Sequence, residues 1–333
     1  MTTYKQIRLK STPLDIPEES NFEVVEESMP TPSAGQVLIK VDYLSLDPYM
    51  RGQIAGRHIS GKVSPGDLLK GETVGTVIAS ESDKFSVGDT VLGFGGWQEY
   101  ACLDEAEVNL LRADIKPSSY AISLLGMPGL TAYAGLVWQA QIKPEDTVLI
   151  PAAIGAVGST AAQIAKSRGC KIIGITSSKE KIKYAIDTLG YDACINRSEG
   201  KVEEELQRLA PNGVNVYFDL VGGEVLDIAS RNLAIGARVI LCGLMADYNH
   251  EEKTPGPYPG SWIGARAVIH GLVVYDFMPR QGEFLDTMIP LIESGKMHMQ
   301  EDVSMGVESA PAAFCKLMRG ENHGKSLVKM NTE

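Results

Sequence analysis

The residues best suited to chemistry by type and spacing are small ones. Ala153-x-Gly155-x-x-Gly158 follows the apolar run Val148, Leu149, Ile150 and precedes a helical stretch, a variant of the fingerprint that seats a dinucleotide. Ala153 and Gly155 permit a tight turn and close approach of a pyrophosphate, and Gly158 lets helix pack on strand. Ala156 and Val157 lie in the same turn, where free backbone N–H groups at the helix N-terminus face the phosphates. Such a pattern also occurs as an ordinary glycine-rich turn, so its context matters. Thr160 to Arg168 is rich in helix formers, Gly169 is a helix stop, and Lys171 to Ile175 reads as the next buried strand, which completes a βαβ unit.

The end of that second strand sets the cofactor preference. An NAD site carries Asp or Glu there, roughly 20 residues past the first glycine, for the ribose 2′-hydroxyl. Here the chain reads Thr176-Ser177-Ser178-Lys179-Glu180-Lys181, with no carboxylate at the strand end itself. Hydroxyls and cations suit a 2′-phosphate, and Ser177, Ser178, Lys179, Lys181 and, near the next strand end, Arg197 supply them. The expected cofactor is NADP(H). The plain alternative is that these lysines form the solvated face of a helix; Glu180, inside the helix, is the residue that would serve NAD.

Metal and nucleic-acid chemistry find less support. The five cysteines are scattered and never paired as CxxC, and the five histidines show no metal spacing. A net charge of −11 without a basic stripe counts against a nucleic-acid surface. No apolar run reaches membrane-spanning length and the N-terminus lacks the core of a secretion signal, so no membrane partner and a cytoplasmic location are expected.

These residues need elements to hold them, and 333 residues suggest two domains. Residues 4 to 45 alternate apolar and polar positions between turn signals, and Val74 to Ala79 and Phe85 to Val91 repeat the pattern, as expected of an antiparallel, barrel-like domain. From Ser118 the texture turns helical through Val137, which marks a domain hinge. Strands at 148–151, 171–176, 193–196, 214–219 and 237–242 then alternate with helices at 179–189, 202–209 and 225–233, which predicts a parallel, doubly wound α/β sheet of Rossmann type. The Pro- and Gly-rich stretch from Asp247 to Gly264 reads as an irregular loop at the ligand crevice, 283–294 as a helix, and Gly271 to Tyr275 as either an edge strand or an internal one. The expected division is a catalytic domain from 1–123 and 296–333 and a nucleotide-binding domain from 124–295.

With these features in hand, the chain resembles the medium-chain dehydrogenase/reductase superfamily end to end. Leu46-Asp47-Pro48-Tyr49-Met50-Arg51, Gly126 to Tyr133, Cys242 to Asn249 and Gly320 to Lys325 resemble the prostaglandin reductase, plant double-bond reductase and curcumin reductase branch. That resemblance implies a GroES-like N-terminal domain and NADPH-dependent reduction of a carbon–carbon double bond conjugated to a ketone or aldehyde. Zinc members carry a Gly-His-Glu segment, whose counterpart here is Lys70-Gly71-Glu72, and a cysteine ligand near the place of Asp47; both ligands are missing, so the reaction is expected to be metal-free.

The resemblance also assigns residues. Lys181 matches the contact to the 2′-phosphate, and Arg197 stands where a tyrosine is common. Met127 and Thr131 match the pair beside the nicotinamide, Asn322 a contact to its amide, and Tyr248 a tyrosine at the ribose and active site, with Cys242 opening that motif. Pro48, Tyr49 and Arg51 border the substrate, together with Val273. Tyr49 and Tyr248 are the candidate catalytic residues, since a neutral phenol can donate a hydrogen bond to a developing oxyanion. Tyr49 as a mere wall and an Asp47–Arg51 ion pair are the bland readings. A homodimer built through an edge strand is expected. The alternatives are an NADPH-dependent quinone reductase and a non-catalytic NADPH-binding protein.

Overall fold

The computed structural model describes residues 2–330. The chain divides into two units: one comprises the described residues of Met1–Ser123, Tyr248–Glu251 and Gln300–Glu333, the other Leu124–Asp247 and Glu252–Met299. The last three residues of the expected catalytic domain, and Met1, lie outside the described residues.

The first unit begins with an antiparallel pair, β1 (Thr3–Leu9) and β2 (Phe22–Ser28). Then come β3 (Gln36–Ser45), the short helix α1 (Met50–Ile54), β4 (Thr73–Ser80), β5 (Thr90–Gly93), β6 (Tyr100–Asp104) and β7 (Val108–Leu110). The second unit opens with α2 (Met127–Tyr133), which runs into a π-helical turn over Ala134–Gln139. It continues as β8 (Thr147–Pro151), α3 (Ala156–Ser167), β9 (Lys171–Thr176), α4 (Lys179–Asp187), β10 (Ala193–Asn196), α5 (Val202–Leu209), β11 (Val214–Asp219), α6 (Gly223–Arg231), β12 (Leu233–Leu241), α7 (Pro259–Ala265), β13 (Val268–Gly271) and α8 (Gln281–Glu293). Finally β14 (Glu301–Met305), α9 (Ala310–Met318) and β15 (Lys325–Lys329) return to the first unit.

The second unit's sheet has the order β10-β9-β8-β11-β12-β13, and each neighbouring pair is parallel. This is the doubly wound arrangement expected, with the reversal of strand order between β8 and β11. β8 and β9 sit centrally because TVLIP and KIIGIT bury on both faces. The first unit's larger sheet has the order β14-β15-β3-β4-β5-β7, with β6 also on β3, and is antiparallel apart from β14–β15. Its core stacks Phe22 on Trp97 at 5.7 Å, with Phe314 edge-on to Trp97 at 5.5 Å. Among the described residues no helix is long and apolar enough to cross a membrane.

Four local expectations are corrected. Phe85 to Asp89 is a turn, because Asp89 accepts from the Ser86 N–H and Gly88 takes a left-handed φ, so β5 starts only at Thr90. The stretch to Gly264 is not all loop: Pro259 occupies the first turn of α7, where its missing N–H costs nothing. The strand expected at 271–275 lies earlier, at Val268–Gly271 on the sheet's outer edge, and Val274–Arg280 coils as a 3₁₀ helix instead. The helical run after Tyr133 is π-type, with Ala140 N–H bonded to the Gly135 carbonyl.

Candidate active site

The fingerprint is built as backbone sterics demand. After β8 the chain turns through Ala152, which holds a left-handed φ of 51°, an uncommon conformation for a residue with a Cβ. A Cβ on Gly158 would lie 2.4 Å from the Ala152 carbonyl oxygen, and one on Gly155 3.2 Å from it. Gly158 therefore tolerates no side chain, and the first turn of α3 sits tight against the strand. Its N-cap, Gly155, makes no side-chain cap bond, which leaves the helix N-terminus to backbone amides. The backbone amides opening α3 at this tight turn, with no side chain on Gly155 or Gly158, fit a dinucleotide pyrophosphate.

Sequence reasoning missed what lies beneath it. The buried Tyr191 hydroxyl lies 3.0 Å from the Ala153 carbonyl and 3.1 Å from the Gly158 carbonyl, within donating range of both. Burial raises its pKa well above the ordinary phenol value, so it stays neutral and donates. Tyr191 precedes β10 by two residues and carries no motif; its sequence signal is only an aromatic before a strand. Asp219 was missed as well. It ends β11 fully buried and accepts from the Tyr217 hydroxyl and from the Val221 and Gly222 N–H groups. Burial raises its pKa, against those three donors. It thus fixes the turn after β11, and its backbone carbonyl receives the N–H of Cys242.

Parallel strands end on one side of a sheet, so the cofactor candidates of the second unit gather there. Ser177 and Arg197 follow β9 and β10, whose last residues Thr176 and Asn196 are paired, and Ser198 Oγ donates to the Ser177 carbonyl at 2.8 Å. Arg197 is exposed. Lys181 lies in the first turn of α4, where Ser178 Oγ caps its N–H at 3.3 Å. Its side chain is 8% exposed, so the solvated-face reading is overturned for Lys181 and holds for Lys179. Cys242 follows β12; burial and Asp219 push its thiol up to about 12, so it is no nucleophile. Met127 and Thr131 stack one turn apart on α2, with Thr131 Oγ1 donating to the Met127 carbonyl at 2.7 Å. Val273 lies just past β13 and is exposed.

In the first unit, Tyr49 and Tyr248 both pack against the same apolar cluster, which includes Leu46, Met50 and Trp97. Tyr49 caps α1 and its ring lies 5.0 Å from that of His58. Asn322 donates to the Gly324 carbonyl at 2.8 Å, and Gly324, with φ 89°, passes so close to Gln300 that a Cβ would meet its carbonyl at 2.0 Å.

The Asp47–Arg51 pair held as an alternative does not form. Arg51 is buried and donates through Nη2 to the Pro13 and Asp15 carbonyls, tying the N-terminal loop. Asp47 instead pairs with Lys325 at 2.9 Å, and both side chains are buried. Glu72 lies within electrostatic reach of the pair: burial, then Asp47, pushes its carboxyl up to about 7, against the pull of Lys325. The positions matched to ligand segments of zinc enzymes therefore surround an ammonium group. Among the described residues no set of three His, Cys, Asp or Glu side chains comes together to hold a metal ion, so these residues do not fit a catalytic zinc.

Comparisons with known proteins agree with this architecture. A family described as an N-terminal domain of oxidoreductase matches residues 5–111, and one described as zinc-binding dehydrogenase matches residues 156–294. The NADPH-dependent curcumin reductase of Escherichia coli is 35% identical over 97% of this chain and 95% of its own. The NADP(+)-dependent 2-alkenal reductase of Nicotiana tabacum is 36% identical over 99% of this chain and 98% of its own. The crystal structure of CurA from Vibrio vulnificus, in complex with NADPH, superposes with a TM-score of 0.94 at 39% identity, covering 99% of this chain and 100% of that one.

Proposed function

From a chain that belongs to the curcumin, 2-alkenal and prostaglandin reductase branch of the medium-chain dehydrogenase/reductases, we propose an NADPH-dependent reduction of the double bond of α,β-unsaturated ketones and aldehydes. The end-to-end likeness to reductases of such compounds carries the reading, and the local geometry supports its parts.

When bound, NADPH supplies the hydride that the substrate's β-carbon accepts. The amides of Ala156 and Val157 would hold the pyrophosphate, with Gly155, whose own N–H bonds the Ala152 carbonyl at 2.9 Å, giving it room to approach, and Ser177, Lys181 and Arg197 would take the 2′-phosphate. In the second unit Met127 and Thr131 would hold the nicotinamide; in the first unit Asn322 would contact its amide and Tyr248 would orient the ribose. Tyr49 donates its O–H to the carbonyl oxygen as negative charge builds there, a role a neutral phenol fills without a metal. In the first unit Pro48 would border the substrate, on a turn that Arg51 braces through the Pro13 and Asp15 carbonyls; in the second unit Val273 is the proposed substrate contact. The Lys325 ammonium group paired with Asp47, at the position matched to a zinc ligand, supports metal-free chemistry. The exposed outer edge of β13 supports a homodimer, checked by sedimentation, and the cytoplasm is its proposed location.

Deuterium at C4 of NADPH tests the reaction directly. The label is expected on the β-carbon of a saturated ketone. A product that keeps its double bond, or reduction confined to quinones, would overturn the reading.

A further inference from the structure

The turn that carries Tyr49 starts where β3 ends, and one side chain grips that start from another strand. Lys325, the first residue of β15, is 1% exposed and has two oxygen partners: its Nζ donates to the Leu46 carbonyl at 2.7 Å and to Asp47 Oδ1 at 2.9 Å. Ser45 Oγ donates to the other Asp47 oxygen. The backbone agrees, since Leu46 N–H bonds the Ser326 carbonyl at 3.2 Å and Met50 N–H bonds the Asp47 carbonyl at 3.1 Å, closing the turn over Pro48 and Tyr49. Lys325 is itself seated through its N–H on the Gln300 carbonyl at 2.8 Å.

A buried ion pair is an expensive way to join two strands, because desolvation offsets much of its attraction and apolar residues of similar size hold a core as well. Such a pair instead fixes geometry, as its charge-assisted bonds are directional. Here the geometry fixed is that of the residue two places on from Asp47. We infer that Lys325 is a positioning residue for the reduction: through the Leu46 carbonyl and the Asp47 carboxylate it sets the turn that aims Tyr49 at the substrate. The inference rests on the double-bond reductase reading and on Tyr49 facing substrate. Glu72 beside the pair, neutral below about 7, leaves Asp47 as the counter-charge to the ammonium there.

The test is a double-mutant cycle on enone reduction with Lys325→Met and Tyr49→Ala, alongside Lys325→Arg and Tyr49→Phe, with NADPH affinity measured separately by fluorescence. Rates are taken per folded protein, so loss of stability alone does not register. In the Tyr49 background, Lys325→Met is expected to lower kcat/KM by about tenfold to a hundredfold, the size of a small misplacement, with NADPH affinity unchanged and partial recovery in Lys325→Arg. In the Tyr49→Ala background the same change is expected to cost under about threefold, because coupled residues do not add. Equal losses in both backgrounds, or an unchanged kcat/KM, would overturn the inference. If Lys325→Met does not fold, the apolar pair Asp47→Leu with Lys325→Met removes the grip without stranding a charge, and the same cycle is read from it. The parent reading fails separately: full activity in Tyr49→Phe sinks the oxyanion role of the hydroxyl, whereas the cycle with Tyr49→Ala tests how the residue is placed.

Discussion

A single side chain, Lys181, is the proposed contact to the 2′-phosphate, and its burial argues for a fixed task. Lys181 is a lysine at the start of a helix, a place where most lysines are solvated, yet it is buried beside the capped turn of Ser178. Replacing it with methionine keeps the stem packed and removes the charge. KM for NADPH is expected to rise about tenfold to a hundredfold, the worth of one or two charged hydrogen bonds, with KM for NADH little changed. Steady-state kinetics with both cofactors checks this; equal effects would place the 2′-phosphate elsewhere. Glu72 makes a second prediction at this scale. Its carboxyl binds a proton more tightly in the folded chain, at about 7 against an ordinary 4.5, so ionising it opposes folding. Its effect is absent below about pH 4, grows as pH rises through that window and then levels off, at about 2 kcal/mol by the shift discounted for partial exposure. Glu72→Gln is therefore expected to gain on the parent protein between pH 5 and 8 in denaturant melts, and a constant difference across that range would contradict it.

At the scale of elements, what the sequence disclosed was what local pattern carries. VLIP followed by Ala153, Gly155 and Gly158 identified a strand, a turn and a helix, because steric demands at glycine and buried apolar runs are local. The Tyr191 hydroxyl under that turn was not legible: its partners lie 38 and 33 positions away, and only the packing of β10's approach against the βα turn brings them together. Lys325 escaped for the same reason, since its carboxylate partner is 278 residues distant and the nearer Arg51 was the obvious choice. The displaced strand at Val268–Gly271 is a failure of register rather than of type, as the apolar residues on either side of Gly271 read equally well. Tyr191→Phe tests the element it props. The one buried O–H shared between the Ala153 and Gly158 carbonyls is lost, so stability is expected to fall by about 1–3 kcal/mol, and NADPH affinity to weaken because the cradle loosens. A thermal melt with and without NADPH reads both; a variant with parent stability and affinity would show that the cradle stands without its prop.

For the molecule as a whole, the two units divide the work: a parallel sheet whose strand ends gather the groups suited to NADP(H), and an antiparallel unit that carries both candidate phenols on one apolar core. The positions matched to zinc-ligand segments hold the buried Lys325–Asp47 pair with Glu72 nearby, so the proposed reaction is one that proceeds on hydrogen bonding and placement alone. The most direct measurement follows NADPH oxidation with a simple alkenone in the presence of excess chelator and identifies the product. The expected product is a saturated ketone, formed at the rate seen without chelator. Loss of turnover on chelation, or NADPH bound tightly with the alkenone left intact, would contradict that expectation.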